Sequence, residues 1–120
     1  MRALFDTNVL VDYLNAVPEA LAELRRYSQK AISIITWMEV MVGAGNDVES
    51  ATRAFLKGFD VVALDETIAE RAVDLRRKHR IKLPDAIIWA TAQTNAMLLV
   101  TRNIKDFAAD DPGVRLPYKL

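Results

Sequence analysis

Four acidic residues and one amide are placed so that folding could gather them: Asp6, Glu39, Asp85 and Asp106, with Asn103. Asp6 closes the apolar run Ala3-Leu4-Phe5 and leads into Thr7-Asn8. Glu39 lies three residues beyond Thr36, just after the β-branched run Ala31–Ile35. Asn103 ends Thr101-Arg102-Asn103 behind the run Met97–Val100, and Asp106 follows one turn later. Asp85 stands behind Pro84 at the head of Ala86-Ile87-Ile88-Trp89-Ala90, apolar nearly all round. Carboxylates that converge with no Lys or Arg between them repel one another, and such a cluster persists mainly because a divalent cation neutralises it. The chain has no Cys and a single His, His79. The ligands would therefore be oxygens and the ion hard, Mg²⁺ or Mn²⁺. An ion so held lowers the pKa of a bound water, orients it in line and offsets charge on a phosphoryl oxygen, the chemistry of phosphodiester hydrolysis. A covalent or His-general-base route has little support from these residues.

Each residue also has an ordinary reading. Thr36-Trp37-Met38-Glu39 is a capping box, Asp6 a turn residue, and Asp85 a carboxylate complementing the helix dipole behind a Pro at the first helical position. Asp65 reads as an N-cap and Asp12 as a solvated helix residue. Arg76, Arg77, Lys78, His79, Arg80 and Lys82 form the cationic end of a solvated helix, favoured by the dipole, or a phosphate-contacting rim leading to Asp85. Arg80 and Lys82 are RNA candidates on the second reading. Arg102 and Lys105, which flank the acids, are better ones.

The elements that must position these residues alternate. Short β-branched or apolar runs at Ala3–Phe5, Ala31–Ile35, Asp60–Leu64 and Met97–Val100 predict strands, and Val114–Tyr118 a final edge strand, since Pro117 is tolerated only at an edge. Between them the spacing predicts helices over Val9–Leu14, Glu19–Tyr27, Thr36 to Gly43, Val48–Gly58, Asp65 to His79 and Pro84 to Asn95, and one helical turn over Ile104–Phe107. Strand–helix alternation predicts a parallel sheet covered on both faces. Ligand sites in such sheets lie beyond the carboxyl ends of the strands, where Asp6, Glu39, Asp85, Asn103 and Asp106 can all fall.

Composition narrows the function. With 16 Lys+Arg against 16 Asp+Glu the net charge is zero, so a nucleic-acid partner must be held by a local patch. At 120 residues, 52% apolar and 27% charged, the expectation is one globular domain, residues 1–120. Met1 to Asp6 reaches an acid before a signal-peptide core could form, and no run approaches transmembrane length, so a cytoplasmic protein is expected.

In order, Leu4-Phe5-Asp6-Thr7-Asn8-Val9-Leu10, Thr36-x-x-Glu39, Leu83-Pro84-Asp85-Ala86 and Leu99-Val100-Thr101-Arg102-Asn103-x-x-Asp106-Phe107 resemble the motifs of PIN-domain nucleases, and most of all the compact VapC-type toxins of prokaryotic toxin–antitoxin pairs. The resemblance implies a three-layer α/β/α sandwich with a central, mostly parallel sheet of four or five strands. It also implies Mg²⁺- or Mn²⁺-dependent endoribonuclease activity on RNA, homodimers, and inhibition by a cognate antitoxin. Asp6, Glu39 and Asp85 match the three principal acids, expected as metal ligands. The usual fourth acid falls at Asn103, and Asp106 is the nearby carboxylate that could substitute. Thr7, Asn8 and Thr101 match positions that line or brace the site. Asn103 in place of an acid also motivates a second reading, a catalytically weak or inactive module that binds RNA or a protein. A phospho-aspartate receiver is disfavoured, because Thr101-Arg102-Asn103 lacks the Lys such a site needs. Trp37, Met38, Val40, Met41 and Val42 read as core, or, where exposed, as the face for a dimer or antitoxin segment.

Overall fold

The computed structural model describes residues 2–108 and 110–120. Its centre is a five-stranded sheet in which every neighbouring pair is parallel: β1 (Ala3–Phe5), β2 (Lys30–Ser33), β3 (Asp60–Val62), β4 (Leu98–Val100) and β5 (Val114–Arg115), in the order β3-β2-β1-β4-β5. Six helices cover it: α1 (Thr7–Leu14), α2 (Pro18–Arg25), α3 (Ile34–Gly43), α4 (Glu49–Leu56), α5 (Glu66–His79) and α6 (Leu83–Thr94). The expected α/β/α sandwich is what forms.

Alternation along the strands makes two cores. Leu4, Ala31 and Leu99 point to one face and pack with Ile68, Ala72 and Leu75 of α5 and Ile88, Trp89 and Ala92 of α6. Ala3, Phe5, Ile32 and Val100 point to the other and meet Val9 and Leu10 of α1, Leu24 of α2, Val40 of α3 and Leu56 of α4. Both faces are dry, which is why the central strands read as continuous apolar runs rather than as alternation. No helix of the described residues is long and apolar enough to cross a membrane.

The strand order sets the site. From β1 the chain steps outward to β2 and β3, then returns to β4 on the other side of β1. The connections therefore diverge at the carboxyl ends of β1 and β4, where parallel sheets open a crevice. Phe5 pairs with Val100 there, and Asp6 N–H still donates to Val100 O at 2.9 Å. Asp6 and Thr101, the next residues, sit side by side at the rim.

Several expectations are corrected. The strand at Ala31–Ile35 ends at Ser33, and Ile34 and Ile35 open α3. Ser33, extended at φ −68° and ψ 150°, accepts from Ile35 N–H at 3.1 Å and is the N-cap in place of Thr36. That cap overrides the β preference of the two isoleucines. Thr36 is buried instead, and Glu39 closes no capping box. Ile104–Phe107 is a turn rather than a helical one, because Asn103 Oδ1 accepts from the backbone N–H of Lys105 (3.2 Å) and Asp106 (3.3 Å). The last strand stops at Arg115, short of Pro117, which has no N–H to pair. Asp12 is not solvated: it is 6% exposed and ion-paired. Asp65 does cap α5, accepting from Ile68 N–H at 2.9 Å.

Because Ser33 fixes where strand becomes helix, Ser33→Ala should cost about 1 kcal/mol, the usual value of an N-cap side chain. Urea unfolding should show a lower midpoint with an unchanged slope.

Candidate active site

Asp6 is the innermost acid, 4% exposed and the N-cap of α1. Its Oδ1 accepts from Thr7 N–H at 2.7 Å. Its Oδ2 accepts from the Thr101 hydroxyl at 2.7 Å and from Asn8 Nδ2 at 3.2 Å. Burial pushes its pKa up, against the Thr101 and Thr7 hydrogen bonds, and the Glu39 and Asp106 charges push the same way. Glu39 arrives from α3 and is joined to the same corner by one hydroxyl. Thr7 Oγ1 donates to Glu39 Oε1 at 2.6 Å and shares a 3.0 Å hydrogen bond with buried Thr36.

Asp85 lies half-buried in the first turn of α6, directly after Pro84, whose missing N–H costs nothing at that position. Its pKa rises from 3.8 to about 6, first by burial, then by the charges of Asp6, Asp106 and Glu39, and by a hydrogen bond with Asp106. Three elements distant in sequence thus place their charges against one carboxyl group. Asp106 is presented by its turn, where Asn103 Nδ2 donates to Asp106 Oδ2 at 2.7 Å. The Asn103 amide is occupied at both ends, its Oδ1 by backbone N–H groups and its Nδ2 by Asp106. Of the two, Asp106 is the one whose charge bears on Asp6 and Asp85.

Among the described residues, none of these four acids is in an ion pair. Arg102 turns away, its guanidinium bidentate on Asp12 (Nε–Oδ2 2.5 Å, Nη2–Oδ1 2.9 Å). Burial alone would raise Asp12, but hydrogen bonds from Arg102 and Tyr118 outweigh it and leave its pKa lowered. Arg80 and Lys82 are exposed at the α5–α6 turn, Arg80 in the left-handed region at φ 55°, and Lys105 is exposed beside Asn103. The His79 ring lies on Trp89, 4.8 Å between centroids.

The donor set fits a hard cation: all oxygen, anionic, with no basic side chain paired to it. No three His, Asp or Glu side chains of the described residues converge tightly enough to encage an ion unaided.

Thr36, expected as an N-cap, Asp12, expected in solvent, and Tyr118, expected in an edge strand, instead form hydrogen bonds that lead to the site. For Asp12 a signal exists, since it falls three residues after buried Val9 and so on the inward side of α1.

The PIN domain family model matches residues 3–109, which include every acid above. The chain belongs to the PIN-domain family. Ribonuclease VapC10 of Mycobacterium tuberculosis is 32% identical over 112 residues, covering 87% of this chain and 84% of that one. A solved toxin–antitoxin complex from Klebsiella pneumoniae contains a chain 51% identical, with a TM-score of 0.94, covering 98% of this PIN domain and 99% of that chain. The structure of FitAB bound to the IR36 DNA fragment matches at 27% identity and a TM-score of 0.85, covering 100% of this chain and 97% of that one.

In the metal-free protein Asp85 holds its proton more tightly folded than unfolded, so its contribution to stability is full below 3.8 and lost as pH climbs through about 6. Asp85→Asn should therefore stabilise the metal-free protein at pH 7.5, by about 1–2 kcal/mol after solvent screening at a half-exposed group. At pH 4 the gain should vanish. Thermal melts in chelator at the two pH values check it.

Proposed function

We propose that this PIN domain is a divalent-metal-dependent endoribonuclease and the toxin half of a toxin–antitoxin pair. The observation that carries the reading is that Asp6, Glu39 and Asp106 all act by charge on Asp85 at the sheet edge, and that no cation is paired to any of the four among the described residues. The named ribonuclease relative and the toxin–antitoxin structural relative support it.

Asp6, Glu39 and Asp85 would hold Mg²⁺ or Mn²⁺, with Asp106 acting through its waters. Once bound, the ion supplies a water of lowered pKa and offsets charge on the phosphoryl oxygen. The chain's own residues do the remainder. Thr101 and Asn8 fix the Asp6 carboxylate by donating to it, Thr7 fixes Glu39, and Asn103 fixes Asp106. Lys105, Arg80 and Lys82 are exposed cations for the RNA backbone.

For partners, a groove of about 430 Å³ runs beside Glu39 between Val11, Leu14, Val40 and Val48. It suits an apolar antitoxin segment that would cover the site. Met38 and Val42, 43% and 87% exposed on α3, suit a second copy of the chain. Acting on RNA, the protein would work in the cytoplasm.

Purified protein should cleave single-stranded RNA with Mg²⁺ or Mn²⁺ and stop in EDTA. Asp6→Asn and Asp85→Asn should each lower the rate on the order of a hundredfold or more, since a metal ion supplies several kcal/mol of transition-state stabilisation. Far-UV circular dichroism should stay unchanged. Cleavage that persists in EDTA contradicts the reading. Mn²⁺ binding without cleavage by the wild type would favour a module that binds RNA without cutting it, the reading Asn103 motivates.

A further inference from the structure

We propose that Arg102 is a positioning residue of this active site, held in place by Asp12 and Tyr118, rather than a contact to RNA. The proposal rests on the nuclease reading above. Hydrogen bonds through Asp12, Arg102 and Asn8 link Tyr118 to the innermost acid, Asp6. Tyr118 OH donates to Asp12 Oδ2 at 2.8 Å. Asp12, buried on α1, receives the Arg102 guanidinium through both oxygens. The fork fixes the guanidinium in direction and in plane, which a point charge would not do. With its side chain anchored, Arg102 donates its backbone N–H to Asn8 Oδ1 at 3.2 Å.

That last bond decides which way the Asn8 amide faces. With Oδ1 held by Arg102, Nδ2 must point at Asp6 Oδ2 (3.2 Å) and the Thr101 hydroxyl (3.4 Å). Rotated half a turn, the amide would set its oxygen against the Asp6 carboxylate, two acceptors facing each other. Arg102 also stands between Thr101, which donates to Asp6, and Asn103, which donates to Asp106. The clamp therefore holds the stretch from which two of the four acids are oriented. It also accounts for a buried aspartate on a helix that is otherwise apolar on its inner side, and for an arginine beside the acids that neutralises none of them.

The test compares Arg102→Lys, Arg102→Gln and Tyr118→Phe with the wild type on single-stranded RNA. Positioning predicts that kcat falls about tenfold in both Arg102 variants, the usual size of an outer-shell effect at a metal site, with KM and its salt dependence unchanged. Lysine should fail as glutamine does, because it lacks the fork. Two results would overturn the proposal. A KM that rises in Arg102→Gln, recovers in Arg102→Lys and loses about 0.7 from the salt slope marks a phosphate contact. Variants that melt earlier yet keep wild-type kcat mark a merely structural ion pair. A second readout needs no cleavage: the Asn8 side-chain amide signals in ¹H–¹⁵N spectra of the metal-free protein should shift or broaden in Arg102→Lys and Tyr118→Phe. If the wild type does not cut RNA, the nuclease reading fails on its own, and unmoved Asn8 signals would still overturn the clamp.

Discussion

Electrostatic repulsion at the carboxyl edge of the sheet is the constraint around which the rest of the molecule is arranged. Asp6 is buried where β1 ends, and Asp85, Glu39 and Asp106 set their charges against the same hollow. Repulsion of this kind costs folding stability wherever no cation offsets it. A fold keeps it only where something else gains from it, and sites with displaced pKa values of this sort are characteristic of function. The parallel sheet makes the arrangement possible, because its strand ends all face one way and its connections part between β1 and β4.

The cations of the chain are disposed accordingly. Positive and negative residues are equal in number, so neutralising the hollow from within would have been easy. Instead Arg102 pairs with Asp12, Arg115 donates to buried Glu23 through Nε and Nη2, and Arg53 pairs with Glu49 while lying over the Trp37 ring. The first two tie the C-terminal stretch and the end of β4 to α1 and α2. The buried acids of those helices are thereby satisfied, while among the described residues the acids at the sheet edge have no ion-pair partner. Hydroxyl and amide groups do the orienting at the edge, and none of them adds positive charge: Thr7, Thr101, Asn8 and Asn103.

The sheet, its parallel sense and the placing of the acids at one edge were legible in the sequence. They depend on strand–helix alternation and on polar residues that interrupt apolar runs, both of which are local patterns. That Asp6, Glu39 and Asp85 come to act on one another there was an expectation of the motifs, and their charges do meet. What could not be read was set by contacts between distant segments. Ser33 rather than Thr36 caps α3, because the sheet ends there and leaves Ser33 extended. Asp12 is buried because Arg102 and Tyr118, some ninety and more residues away, come to meet it. Asn103 organises a turn with both ends of its amide, and that became visible only once its partners were placed. Local spacing gives candidates for a site, but the assignment of each polar atom to a partner is a property of the folded chain.

Crystals grown with Mn²⁺ and measured for anomalous scattering would test the central claim most directly. A single strong peak in direct reach of carboxylate oxygens of Asp6 and Asp85, with Glu39 and Asp106 on the ion or on its waters, is the expected result. A saturated crystal with no peak in that hollow, or a peak held by other residues, would contradict it.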